Sequence, residues 1–292
     1  MRLIPYVLVL VSAFTHAYWN FILKRAQATQ VFIGLTKVAE VLLFSVPFIY
    51  FISKERIALL DYWPFYVVGA LLVIFAYIFL GQAYKTGDLS AVYPVSRAGA
   101  LLFLPGLAYL FIGERIDAIG LAAILLIILG LFSIQLPSFK PREIRLVLAG
   151  LKSPATIYAM LAALTIACYT LWDKHSISYL PPFIYFYAYT AIAGITYAAF
   201  ILVTSRARVV KDAWANHKYS ILQVGLLNTL SYMLVLLALR SVKASYVIAL
   251  RQLSIAFGVF LGWKLLRELF PFPKKVGVAL LLAGCFLISL AR

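Results

Sequence analysis

Two arginines stand where a charge is least expected. Arg97 and Arg251 each lie about 12 Å along an apolar stretch, at 1.5 Å per residue, and so near the middle of a membrane-length segment. A guanidinium keeps its charge and offers a planar fork of donors. Two of them in an apolar setting suit the grip of a carboxylate or phosphate through bidentate contacts. The structural alternative is that each binds carbonyls of a facing helix and only joins two parts of the fold. Gln252 follows Arg251 and adds a neutral donor and acceptor. Pro94 and Pro105 near Arg97 free backbone carbonyls and make a kink available, or merely shape packing.

Lys37 and Glu40 are three apart, on one helical face. Pairing with each other is the simpler reading, because it lowers the cost of both charges. The sharper one makes Glu40 a proton carrier. His16, Trp19 and Asn20 share a face, and the later positions equivalent to them are Ile166, Tyr169 and Thr170. These read as a cavity wall or as interhelical hydrogen bonding. His16 can titrate near neutral pH and is a second candidate for proton coupling. Asn228, Ser231 and Tyr232 fall on another face, and Tyr77 and Tyr84 with Gln82 on a further one. Of these, Tyr77, Asn228 and Tyr232 are taken as ligand contacts. Glu114 and Glu268 occupy equivalent short turns. They are read as structural, serving the N-terminus of the next helix or pairing with the neighbouring Arg115 and Arg267.

The elements that must position these residues are transmembrane helices. Hydrophobic residues make up 64% of the 292-residue chain and charged ones 12%, against about 25% charged in soluble domains; the mean hydropathy is +0.98. Apolar runs near 20 residues, each able to cross about 30 Å of hydrocarbon, recur at about 4–23, 31–53, 63–84, 89–112, 116–136, 154–173, 182–203, 218–240, 243–266 and 273–291. Only Lys37, Glu40, Arg97, Arg251 and His16 then lie well inside spans. The two cysteines, Cys168 and Cys285, fall in apolar runs and imply neither a disulfide framework nor a metal site. The net charge of +16 sits in short loops beside anionic headgroups and does not call for nucleic acid.

The chain is one unit written twice. An offset of 154 places Arg97 on Arg251, Glu114 on Glu268 and Gly130 on Gly284; an offset of 150 places Ala13 on Ala163, Thr15 on Thr165, Ala17 on Ala167 and Lys24 on Lys174. The N-terminal apolar stretch, though signal-like, recurs inside the chain and is kept as a helix. The expected fold is an all-α integral membrane protein of ten transmembrane helices. Residues 1–137 form a first repeat, 138–153 a basic connecting loop and 154–292 a second repeat. Five helices per repeat is an odd number, which makes the repeats inverted. The face carrying both termini holds fewer lysines and arginines than the other, so the positive-inside rule places the termini outside the cytoplasm.

At this point the residues resemble a family. Gly87-Asp-Leu-Ser-Ala-Val-Tyr-Pro, Leu-Phe-Ile-Gly-Glu-Arg at 110–115 and the helix of Gly130 resemble the end of an EamA-type repeat. So does Ser245 through Leu-Leu-Arg-Glu at 265–268 with Gly277 and Gly284, and His16-Ala-Tyr-Trp-Asn20 with Lys24 resembles its opening. Arg267-Glu268 departs from the usual Gly-Glu. The resemblance implies a ten-helix member of the drug/metabolite transporter superfamily. Helices 1, 3, 4, 6, 8 and 9 would line a central cavity, and the termini would be cytoplasmic, against the charge rule.

The expected function is a secondary transporter of a small polar organic metabolite with an anionic group (an amino acid, a carboxylate or a phosphate or phosphonate compound), working by alternating access. The substrate contacts would be Arg97, Arg251, Gln252, His16, Trp19, Asn20, Tyr77, Tyr169, Asn228 and Tyr232. The alternatives are an organic-cation or multidrug exporter, disfavoured because helix 1 has no carboxylate, and an isoprenoid-phosphate lipid flippase. No enzymatic activity, cofactor, metal or nucleic-acid partner is expected. The partners would be the metabolite, the bilayer and a coupling proton or counter-substrate. The setting would be a prokaryotic inner membrane, and the state a monomer or homodimer.

Overall fold

The computed structural model describes residues 3–87 and 89–291, without the side chains of residues 89–91, 93 and 94. Most of the motif beginning at Gly87, with the side chain of Pro94, falls outside this description. Every described element is helical, as hydrocarbon requires of a chain that must satisfy its backbone within each span. The helices are α1 (Leu3–Arg25), α2 (Gln30–Glu55), α3 (Trp63–Thr86, after a 3-10 turn at Leu59–Tyr62), α4 (Leu89–Ile112) and α5 (Ala118–Gln135), followed by α6 (Pro141–Gly150). Then come α7 (Pro154–Ser176), α8 (Pro182–Thr204), α9 (Ala207–Leu239), α10 (Ala244–Arg251), α11 (Leu253–Leu266) and α12 (Phe272–Leu290). Ten are long and apolar enough to cross a membrane, with α10 and α11 counted as one span.

Local signals set the boundaries. Thr29 caps α2 through the amide of Phe32 at 3.2 Å, and Asp117 caps α5 through that of Gly120 at 2.7 Å. Prolines occupy the first turns of α3, α6, α7, α8 and α12, where their missing N–H costs nothing. Three departures matter. Helix α7 continues three residues past the expected 173. Helix α9 takes in residues 207–217 of the expected loop 204–217 and reaches 33 residues, about 50 Å long. The connecting segment carries a helix of its own, α6.

Contacts between the two halves are reciprocal. Helix α1 packs on α9 and α11, and α7 packs on α3 and α4; α2 meets α9 while α8 meets α3; α2 also meets α8, and α5 meets α12. Exchanging each helix for its repeat counterpart returns the same set, as a two-fold relation between the halves requires. The α5–α12 pair shows this at atomic scale. A β-carbon on Gly130 would lie 2.8 Å from the Gly277 carbonyl oxygen and 3.0 Å from the Leu281 nitrogen. One on Gly284 would lie 2.8 Å from the Ala123 oxygen and 3.2 Å from the Ile127 nitrogen. Gly277 and Leu281 are the counterparts of Ala123 and Ile127 at the offset of 154. Small residues let these two backbones touch where lipid supplies no hydrophobic drive for helix association.

The two Glu turns also match. Gly113 and Arg267 both take left-handed backbone, φ 68° and 55°. The next amide returns to the helix end, Glu114 to the Ala108 carbonyl and Glu268 to that of Gly262, each at 3.1 Å. Arg267 therefore bears a backbone strain of about 1 kcal/mol that glycine escapes. In one place the halves differ. Helix α4 runs unbroken through Pro94 and Pro105. Its counterpart breaks at Gln252, between α10 and α11.

Candidate functional site

Arg251 ends α10 at this break. Its Nη2 lies 3.4 Å from Nδ1 of His16 on α1, and its guanidinium carbon sits 5.0 Å from the centre of the Tyr232 ring on α9. Tyr232 donates its hydroxyl to Asp173 of α7, and the other carboxylate oxygen accepts the hydroxyl of Tyr185 of α8 at 2.6 Å. Helices from both halves thus meet at one chain of contacts: His16, Arg251, Tyr232, Asp173, Tyr185. Arg97 of α4 joins them from the first half. Both guanidiniums act electrostatically on His16 and on Tyr169 of α7. Two arginines far apart in sequence therefore act on the same two interior side chains.

Two buried donors beside His16 have no protein acceptor, Nε of Arg251 and Nε1 of Trp19. The Trp19 ring meets the His16 ring edge to face with centroids 4.8 Å apart. A buried donor left unmade costs about 1–3 kcal/mol.

A second polar cluster lies between α2 and α9. Lys37 Nζ is 3.1 and 3.0 Å from the two oxygens of Glu40, and Asn228 Nδ2 donates to Glu40 at 2.9 Å. Glu40 is buried. Tyr77 of α3, 47% exposed, stands edge-on to Tyr197, 6.4 Å between centroids, and acts on both Lys37 and Tyr169.

The structure places the sequence-selected residues unevenly. His16, Trp19, Arg97, Tyr169, Tyr232 and Arg251 come together. Asn20 does not join them; it is exposed and donates to the carbonyl of His16 on its own helix at 2.7 Å. Gln252 is buried and donates to the Ile248 carbonyl at 3.1 Å. Asn228 belongs with Glu40. The residue that sequence reasoning misses is Asp173, fully buried at 0% exposure. A span that stops at 173 makes this carboxylate look like a surface residue. The adjoining Trp-Asp-Lys-His then resembles a loop edge, though α7 carries it for another turn.

The carboxylates of the two turns find other partners than those expected. Glu114 pairs with Lys174 of α7 at 2.6 Å, and Glu268 with Lys24 of α1 at 2.5 Å. Each links one half's turn to the other half's first helix. The helix that Glu114 caps is α10, not the next one: both its oxygens accept the Ala244 amide at 3.0 Å. Lys174 donates also to the Val242 carbonyl at 2.8 Å, and Tyr246 to Asp117 at 3.1 Å. On the Glu268 face the counterparts of Tyr246 and Asp117 are Val92 and Pro271, which cannot repeat that bond.

Two open surface concavities lie elsewhere. One of about 600 Å³ is bounded by residues 137–141 and 271–273, and one of about 250 Å³ by residues 26–32 and 209–217. Among the described residues no trio of His, Cys, Asp or Glu is placed to hold a metal ion.

Ten apolar spans, with polar and charged side chains from both halves converging inside, define a polytopic membrane protein. Residues 153–290 match the model of the EamA-like transporter family. That match takes in the second half of the chain, which is similar to this family of membrane transporters. A solved structure, described only as a crystal structure of a protein, aligns over 98% of this chain and 97% of its own at a TM-score of 0.74. At 13% identity that likeness shows the fold alone. No curated protein matches the chain.

Proposed function

We propose that the protein is a secondary transporter of a small polar metabolite bearing one net negative charge, such as a carboxylate, phosphonate or phosphate ester. The observation that carries this reading is the pair of unpartnered buried donors, Arg251 Nε and Trp19 Nε1, set around His16. Charge balance supports it. Among the described residues deep in the spans, the three cations Lys37, Arg97 and Arg251 outnumber the two carboxylates of Glu40 and Asp173. A charge at this depth costs roughly 3 kcal/mol or more, so an anion held at the open Nε of Arg251 offsets part of that cost. An open carboxylate at Asp173 would suit a cationic ligand instead, but this one is covered by Tyr185 and Tyr232. Glu40 is held by Lys37 and Asn228 and is assigned to joining α2 with α9.

Transport follows by rocking of inverted halves about this centre. The crossed pairs Lys174–Glu114 and Lys24–Glu268 serve as latches at opposite membrane faces. The first is the stronger: side-chain exposures are 24% and 9%, against 64% and 31% at the other end. The conformation described is then the one closed on the Glu114 face.

The test is a thermal-shift and liposome-uptake screen of the purified protein against small carboxylates, phosphonates and their neutral analogues, since a ligand of the folded state raises its melting temperature. Anionic members should stabilise the protein, and Arg97→Ala and Arg251→Ala should each abolish the shift while the variants remain folded in the membrane. Wild-type binding in either variant refutes the anion site. Scrambling of a labelled lipid phosphate without solute uptake would replace it with the flippase reading.

A further inference from the structure

Helix α6 is left almost bare. None of its residues is buried, and it makes no extensive contact with any other helix. Its sequence, Pro141 through Gly150, sorts by face. Ile144, Val147 and Leu148 fall within one arc of the helix, and Arg142 and Arg145 on another that Leu146 borders; Ile144, Leu146 and Leu148 are exposed. Glu143 is half-buried. A globular protein in water would not leave such a face open.

The tethers say what covers it. Five residues separate α6 from the end of α5 and three from the start of α7. At about 3.5 Å per residue these linkers reach at most roughly 20 Å and 14 Å. Both neighbours are spanning helices, so α6 is held at the level where they leave the hydrocarbon. There an amphipathic helix lies in the interface, apolar face down and cations among the headgroups. Alongside is the concavity of about 600 Å³ between the α5–α6 linker and the start of α12. Phe139 and Phe272 meet edge to face there at 6.0 Å, both exposed, and Lys140 stands at its rim. An apolar slot for an acyl chain thus adjoins three cations, Lys140, Arg142 and Arg145.

We propose that α6 and this slot form a binding site for an anionic phospholipid of the surrounding leaflet. The site rests on the connector alone. Since α6 is the covalent link between the two halves, a lipid held there ties that link to the membrane plane while the halves move.

The experiment uses the full-length protein in nanodiscs of phosphatidylcholine containing phosphatidylglycerol, with co-purifying lipid counted by native mass spectrometry. Wild type should retain phosphatidylglycerol in preference to phosphatidylcholine. The triple variant Lys140→Gln, Arg142→Gln, Arg145→Gln should lose that preference by about fivefold for each cation removed. A control that removes the same charge from the projecting end of α9, Arg206→Gln, Arg208→Gln, Lys211→Gln, should keep it. Equal loss in both variants would mean diffuse attraction and no site, and no preference in wild type would also overturn the proposal. Ile144→Ser with Leu148→Ser should lower hydrogen-exchange protection of α6 in vesicles; unchanged protection refutes the buried apolar face. No transported solute enters these measurements, so their failure leaves the anion-transport reading standing.

Discussion

Replacing Glu114 by Gln tests the unequal latches directly. The substitution keeps an oxygen to accept the Ala244 amide but removes the charge facing Lys174. Breaking a buried ion pair from one side costs about 3–5 kcal/mol. Lys174 is about a quarter exposed and retains the Val242 carbonyl, so solvent screening brings the loss nearer 2 kcal/mol. Glu268→Gln removes an exposed pair, worth about 0–1 kcal/mol. If each pair closes one face, Glu114→Gln shifts the equilibrium toward opening at its own face by about 30-fold, and Glu268→Gln shifts the opposite way by less than about fivefold. The assay is distance measurement between paired spin labels in liposomes, at positions 115 and 241 for the Glu114 face and 25 and 269 for the other. The long-distance population at 115–241 should grow in Glu114→Gln and shrink or stay unchanged in Glu268→Gln. Equal and like responses from the two variants would refute the assignment of these pairs as opposing latches.

Two further outcomes follow from packing and charge. Lys37→Met strands Glu40 beside Asn228 and should lower stability by about 3 kcal/mol; adding Glu40→Gln should recover most of it, which a double-mutant cycle by thermal unfolding in detergent will show. Gly277→Ala places a β-carbon 2.7 Å from the Gly130 carbonyl oxygen and 2.6 Å from Ile134 Cγ1. It should cost about 1–3 kcal/mol through overpacking, whereas Gly258→Ala, with nothing within 4 Å, should be nearly neutral by the same melting measurement.

Much of the molecule was legible in the sequence because it depends on residue type and run length. Apolar runs named the spans, and the offset of 154 aligned turns that fold alike, down to the left-handed residue at 113 and 267. The pairing of Lys37 with Glu40 needed only their spacing on one helix. Which helix face points inward was harder to read. In a bilayer the lipid-facing and the buried sides are both apolar, so the hydrophobic period that orients a helix in a soluble protein carries little information. Asn20 and Tyr232 looked alike as polar residues on polar-aromatic faces, yet one turns onto its own helix and the other receives Arg251 and holds Asp173.

Partners across the halves were decided by tertiary structure alone. Glu114 sits beside Arg115, and nothing local points to Lys174, 60 residues on, or to the amide of Ala244. Those contacts exist because α7 is packed against α4 and α10 starts beside the Glu114 turn. The sequence by itself determined that this chain crosses the membrane ten times as one unit repeated, because hydrophobic length and duplication are properties of the string. Only the packed helices decided that Arg251 meets His16 and that each turn's carboxylate pairs with the other half's first helix, because distances between helices depend on how they rotate and cross.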